Sequence, residues 1–175
     1  MACEITSGYD LVCDAPGGVD TWYAYAVKDS NGASNYATLT YADGEITALT
    51  LASGKYAWPL NVEIETSTFT DTAVGERANA SYGRSQSATV MLHGNTEDMI
   101  VQIEAFAQGR HALIAKLNDG TYELLFMENG AKVTDERTPG TAFEDMNGNT
   151  LTFTGKERFK AMKISSTIVN ALLEP

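Results

Sequence analysis

Cysteine and histidine are almost missing from this 175-residue chain, which holds two of each. Cys3 and Cys13 cannot build the multi-disulfide framework of a small secreted domain, and two reduced thiols are expected rather than a bridge. His93 and His111 are isolated, with nothing beside them to complete a four-ligand zinc set, so neither metal nor other cofactor is expected. Bases are scarce too. Twelve Lys and Arg against 23 Asp and Glu leave a net charge of −11, which argues against nucleic acid or anionic membrane as a bound partner. No apolar run is long enough to span a bilayer. Met1-Ala2-Cys3-Glu4 lacks the basic start and apolar stretch of a secretory leader, so folding in a cytoplasm is expected. Absent also are a glycine-rich phosphate loop, a Gly-x-Ser-x-Gly elbow and a His-Glu-x-x-His helix, and no enzyme is expected.

What remains is a chain of one-domain length, 43% hydrophobic and 20% charged, that can bury a core without staples. Short β-rich runs separated by turn residues dominate it. Thr21 to Val27 is aromatic and β-branched and ends at Ser30-Asn31-Gly32. Tyr36 to Tyr41 and Glu45 to Leu51 flank Asp43-Gly44, a pair suited to the positive φ of a tight hairpin. Trp58, Leu60, Val62 and Ile64 alternate with polar neighbours and Pro59, the period of a half-buried strand. Ala88, Val90 and Leu92 alternate likewise, and the two runs are expected to pair as a long hairpin. Between them, residues 66–87 are rich in Ser and Thr and poor in large apolar groups. This stretch predicts a long loop, either a plain surface loop or one that orders against another subunit.

One helix is expected over 96–108. Asn95 can cap it, Glu97 and Asp98 charge its first turn, and Met99, Ile100, Ile103, Phe106 and Ala107 form one apolar stripe. Residues 111–117 and 121–127 read as a hairpin around Asn118-Asp119-Gly120. Residues 141–146 and 149–154 read as another around Asn147-Gly148. The tail from Ser165 to Leu173 suits a short helix or an extended arm.

Acids and bases are unevenly spread. Residues 1–75 carry −8, residues 76–93 carry +1, and Lys156, Arg158, Lys160 and Lys163 against Glu157 make a local +3. That cluster suits a solvated face or, in a homo-oligomer, docking on a neighbour's acidic face. Glu63 and Glu65 would share one strand face and read as solvated rather than as an acid/base pair. Arg77 and Arg84 are the bases of the long loop, suited to pair with a neighbour's carboxylates, with Tyr82 as an aromatic anchor.

The start Ala2-Cys3-Glu4-Ile5-Thr6-Ser7-Gly8-Tyr9-Asp10-Leu11-Val12-Cys13 carries a resemblance, as do the finish from Gly140-Thr141-Ala142-Phe143 to Gly155-Lys156-Glu157 and the turns Asn118-Asp119-Gly120 and Asn129-Gly130. Together these segments resemble a family of small virion proteins of tailed phages and prophages of Bacteroidota-type hosts. The chain departs from that pattern at Asp14-Ala15-Pro16-Gly17-Gly18, where an Arg-Asp start would be expected.

The resemblance implies a tail-tube role. The expected fold is mainly β, an antiparallel sandwich or partial barrel with one flanking helix and a long hairpin or loop. It implies a single domain over 1–175, with an assembly loop at 66–87 and a C-terminal arm at 156–175. The chain would partner itself in hexameric rings stacked into a tube, meet other tail proteins, and pass DNA without binding it. It would be assembled in the host cytoplasm and reside in the virion. Glu63 and Glu65 would then face the lumen, Arg77, Tyr82 and Arg84 would contact neighbouring subunits, and Lys156, Arg158, Lys160 and Lys163 would form a docking tail. The alternatives are a head decoration or tail-terminator protein, or a carbohydrate-binding β-sandwich stacking sugars on Trp22, Tyr23, Tyr25 or Trp58.

Overall fold

The structure is a computed structural model that describes residues 16–29, 31–63, 65–94, 96–142 and 144–173. Cys3 and Cys13 lie outside them. Strand makes up 52% and helix 14%, the mainly-β composition expected from the turn-punctuated sequence.

Eleven strands form two sheets among the described residues. β1 (Val19–Ala26), β2 (Tyr36–Ala42), β3 (Glu45–Leu51), β4 (Trp58–Asn61), β7 (His111–Leu117), β8 (Tyr122–Leu125) and β11 (Met162–Ile164) make a seven-stranded sheet in the order β2-β3-β11-β8-β7-β1-β4. β5 (Thr68–Val74), β6 (Gly83–His93), β9 (Lys132–Thr138) and β10 (Gly148–Glu157) make a second, in the order β5-β6-β10-β9. All strand pairings are antiparallel except β3 with β11.

Period-two alternation sends β1 and β7 into two cores at once. Trp22, Ala24, Leu113 and Ala115 meet Val90, Leu151 and Phe153 of the smaller sheet. Tyr25, Ala112 and Ile114 point the other way, onto Val169 and Leu172 of α2 (Ser166–Leu172). β7 is buried on both faces, which is why it reads as an almost unbroken apolar run. The helix α1 (Glu97–Gln108) starts at Thr96, whose Oγ1 accepts from the Met99 amide at 3.3 Å, and the Asn95 cap lies outside the described residues. Its Ile103 enters the first core and its Phe106 packs edge-on to Phe153.

Two polar tethers join the sheets. Gln86, in β6, is buried; its Oε1 accepts from the Phe126 amide at 2.7 Å. That amide needs a fixed partner because Phe126 is itself buried and holds φ at 59°, a strained value for a bulky residue. Asp71, in β5, accepts from Arg84 Nε at 2.9 Å and from the Ala161 amide at 2.8 Å. The second bond ties the small sheet to the segment that leads into β11.

Four expectations are corrected. The strand beginning at Trp58 ends at Asn61 and pairs with β1, not with Ala88–Leu92, which lies in the other sheet. Residues 66–87 are not a long loop: β5 and β6 pair across a short 3-10 turn, Arg77–Asn79. The partner of the strand after Asn147 is β9, seven residues with one buried side chain, while residues 141–142 and 144–147 are a turn held by Asp145. No free arm follows Lys156: β10 runs to Glu157, β11 fills a gap between β3 and β8, and α2 packs beneath the sheet.

Candidate functional site

The chain between Leu51 and Trp58 turns at Gly54, whose φ of 76° suits a residue without a Cβ, and returns along the face of β1. This loop stands opposite α1. Between them opens a cleft of about 550 Å3 lined by Ala24–Ala26, Tyr56, Trp58, Leu60, Gln102, Phe106 and His111 among others. Trp58 is 53% exposed at the rim. Phe106 meets the His111 ring at a centroid distance of 4.8 Å, and His111 Nε2 lies 3.4 Å from the Ala105 carbonyl. Burial lowers the His111 pKa below its ordinary value, only partly offset by that carbonyl, so the imidazole is neutral at neutral pH.

Among the described residues no carboxylate lines the cleft, and Lys55 is its one side chain with a permanent charge. A neutral imidazole with neither an acid nor a nucleophile beside it has no proton partner to work with. The lining suits a flat or apolar group, either a ligand ring or a side chain of another protein. No group of three or more His, Cys, Asp or Glu able to hold a metal occurs among the described residues.

The residues singled out from the sequence do not gather in one place. Glu63 and Glu65 lie beyond the end of β4, in a turn where Glu65 has φ of 64° and the Glu63 carbonyl accepts from Thr66 Oγ1 at 2.7 Å. They share no strand face, so the geometric reason to set them on a lumen wall is gone. Arg84 is held by Asp71 of its own chain, with the two side chains 12% and 6% exposed, and is not available to a neighbour's carboxylate. Tyr82 is 67% exposed at the turn of the β5–β6 hairpin, and Arg77 belongs to that turn.

Lys156, Arg158, Lys160 and Lys163 are exposed, but not on a tail. Arg158 grips Glu128 through two bonds of 3.0 and 2.6 Å. Lys160 and Lys163 lie near Glu123, whose pKa burial raises while those two lysines draw it back. The aromatic platforms divide likewise: Trp22 and Tyr25 are core, Tyr23 is partly covered beside Tyr122, and Trp58 alone of the four is exposed.

Sequence reasoning missed Tyr56, Phe106 and His111 as neighbours of Trp58. The alternation did put Trp58 on the face of Leu60, but nothing in it marks where the covering helix ends. Comparison of the chain with protein-family models, with curated proteins and with solved structures finds no match.

Proposed function

We propose that this chain is a structural virion protein of the tail-tube kind, which assembles with copies of itself into stacked rings around a DNA channel. The observation that carries the reading is the outer face of α1. A twelve-residue helix buries only Ile103 fully and leaves Ile100 at 53% and Val101 at 65% exposure, side by side. Covering two such side chains is worth about 1.5–3 kcal/mol each when complete, and a second copy can supply the cover. Exposed Tyr82 on the hairpin turn adds a further anchor. A net charge of −11 suits a wall that DNA must slide past. A mainly-β chain of two sheets is compatible with the fold that the resemblance implies.

The test is light scattering on a sizing column with negative-stain imaging, on the wild type and on Ile100→Asp/Val101→Asp. Rings or tubes from the wild type that the variant cannot form, at unchanged melting temperature, support the reading. A wild type that stays monomeric at high concentration refutes it. Trp58 at its cleft favours a second reading, a carbohydrate-binding module. Glycan binding by a monomer, lost in Trp58→Ala, would select it.

A further inference from the structure

Next to the aromatic cleft, where Arg110 precedes His111 and Lys28 follows Ala26, a second, polar opening of about 550 Å3 adjoins the small sheet at β10. Three cations from three elements line it: Lys28 just after β1, Arg110 between α1 and β7, and Lys156 in β10. Ser85, Asn129 and Thr154 supply the polar remainder, and Gly130 and Gly155 the floor. The glycines let the turn and β10 approach their neighbours closely. A Cβ on Gly130, where φ is 70°, would press on Arg110, and one on Gly155 would strike the Phe126 ring at 2.7 Å. The Asn129 amide is fixed by donating to the Lys156 carbonyl at 2.8 Å, which ties the turn to the strand that carries the third cation.

Acids outnumber bases almost two to one in this chain, yet no carboxylate of the described residues lines the opening. Two other exposed bases are matched, Lys116 with Asp20 and Arg158 with Glu128, whereas Lys132, Lys160 and Lys163 form no salt bridge among the described residues. Lys28, Arg110 and Lys156 make no salt bridge among the described residues. The acids adjacent in sequence are held elsewhere: the Glu157 carboxylate accepts from the Glu128 and Asn129 amides at 3.2 and 3.0 Å, and Asp29 Oδ1 accepts from the Asn31 and Ala33 amides at 2.9 and 2.8 Å. Three like charges held around one hollow repel each other unless an anion sits among them.

We propose that this opening is a binding site for a small multivalent oxyanion of the phosphate class. A guanidinium fork, two ammonium groups, hydroxyls at Ser85 and Thr154 and an amide at Asn129 present donors from several directions. That matches the oxygens of a phosphoryl group better than one planar carboxylate, which a single arginine would satisfy. Volume remains for a second phosphoryl unit. A long polyanion is disfavoured, because it would also meet the field of the acidic surface around the opening. The site does not depend on the assembly reading, since every lining residue belongs to one chain.

The test is titration calorimetry with inorganic pyrophosphate and with phosphate at constant ionic strength, alongside amide NMR shifts of the wild type. Saturable binding with pyrophosphate above phosphate, and shifts confined to Ser85, Arg110, Asn129, Gly130 and Thr154, is the expected result. Lys28→Met, Arg110→Gln and Lys156→Met should each weaken binding by about 3- to 5-fold, the scale of one exposed charged contact. Lys55→Met, a base in the other cleft, should leave it unchanged. Heat that does not saturate, shifts scattered over the surface, equal loss in Lys55→Met, or equally tight binding of a duplex oligonucleotide would each overturn the proposal. The wild-type shifts decide the matter even if a variant fails to fold.

Discussion

Asp71 is the residue whose loss the fold should feel most among its polar groups. Its side chain is 6% exposed and satisfies Arg84, itself 12% exposed, and the Ala161 amide, while its backbone carbonyl accepts a further Arg84 bond at 3.0 Å. Asp71→Ala therefore strands a guanidinium and a backbone N–H together. Breaking a buried pair by removing one partner costs about 3–5 kcal/mol, and the lower end applies to a pair just beneath the surface. At about 2–4 °C per kcal/mol for a protein of this size, melting should fall by about 6–12 °C, read by calorimetry, with the free energy taken from urea unfolding. Asp71→Asn/Arg84→Met should regain much of the loss, because no stranded charge remains. Asp20→Asn, at the exposed Lys116 pair, should not shift melting measurably. If Asp71→Ala stays within about 1 kcal/mol of wild type, the Asp71 carboxylate does not hold the small sheet to the segment before β11 in the way argued.

Three more outcomes are expected. Gln86→Leu keeps the volume but leaves the Phe126 amide without its acceptor, and should cost about 1–3 kcal/mol in urea unfolding. Gly148→Ala would drive a Cβ into the Leu92 carbonyl on β6 and should cost about 1–3 kcal/mol, while Gly44→Ala, which meets nothing within 4 Å, would show only the backbone penalty of its positive φ. Burial raises the folded-state pKa of Glu123, so its contribution is fully present below the ordinary glutamate pKa and is lost as pH rises through the raised value. Melting of the wild type relative to Glu123→Gln should therefore fall as pH climbs from about 4 to about 7, and a flat difference would contradict the burial argument.

The elements legible in the sequence are those whose signal is local. Asp43-Gly44 takes φ of 51° and 84° between β2 and β3, as a type I′ pair must, and Asn118-Asp119-Gly120 joins β7 to β8. The first-turn acids and Gly109 mark α1 to within a residue, but the cap is Thr96 rather than the expected Asn95. Pairing was not legible, because alternation reveals which face of a strand is buried but not which strand lies beside it. Thus β4 and β6, which share an alternating pattern, belong to different sheets, and β4 leaves Trp58 exposed.

The hairpin hidden in 66–87 did carry a signal: Thr66, Thr68, Thr70 and Thr72 recur with period two, and threonine favours strands. Its buried members, Gln86 and Asp71, are polar, so a search for apolar residues passes over them. β9 has only Val133 to bury and is charged elsewhere, as suits a sheet edge that must not pair indiscriminately. The phosphate-class opening was invisible for another reason. Lys28, Arg110 and Lys156 are far apart along the chain and meet only when both sheets are in place.

The position of β11 bears on the order in which this protein can be made. Met162–Ile164 is the only strand among the described residues that pairs the β2–β3 hairpin with the rest of its sheet. As the chain leaves the ribosome, β2 and β3 appear early and can pair with each other at once, but their place in the sheet does not exist until β11 emerges. For most of synthesis Ile46 and Leu49, destined for the second core, have no lid. The nascent chain thus carries an unfinished, partly apolar hairpin until β11 is made, a state exposed to aggregation and to holdase chaperones. A ribosome stalled before residue 162 would present a four-strand remnant of the large sheet beside a detached hairpin. Protease sensitivity of the hairpin in such stalled chains should disappear only once residues 162–172 are free of the exit tunnel.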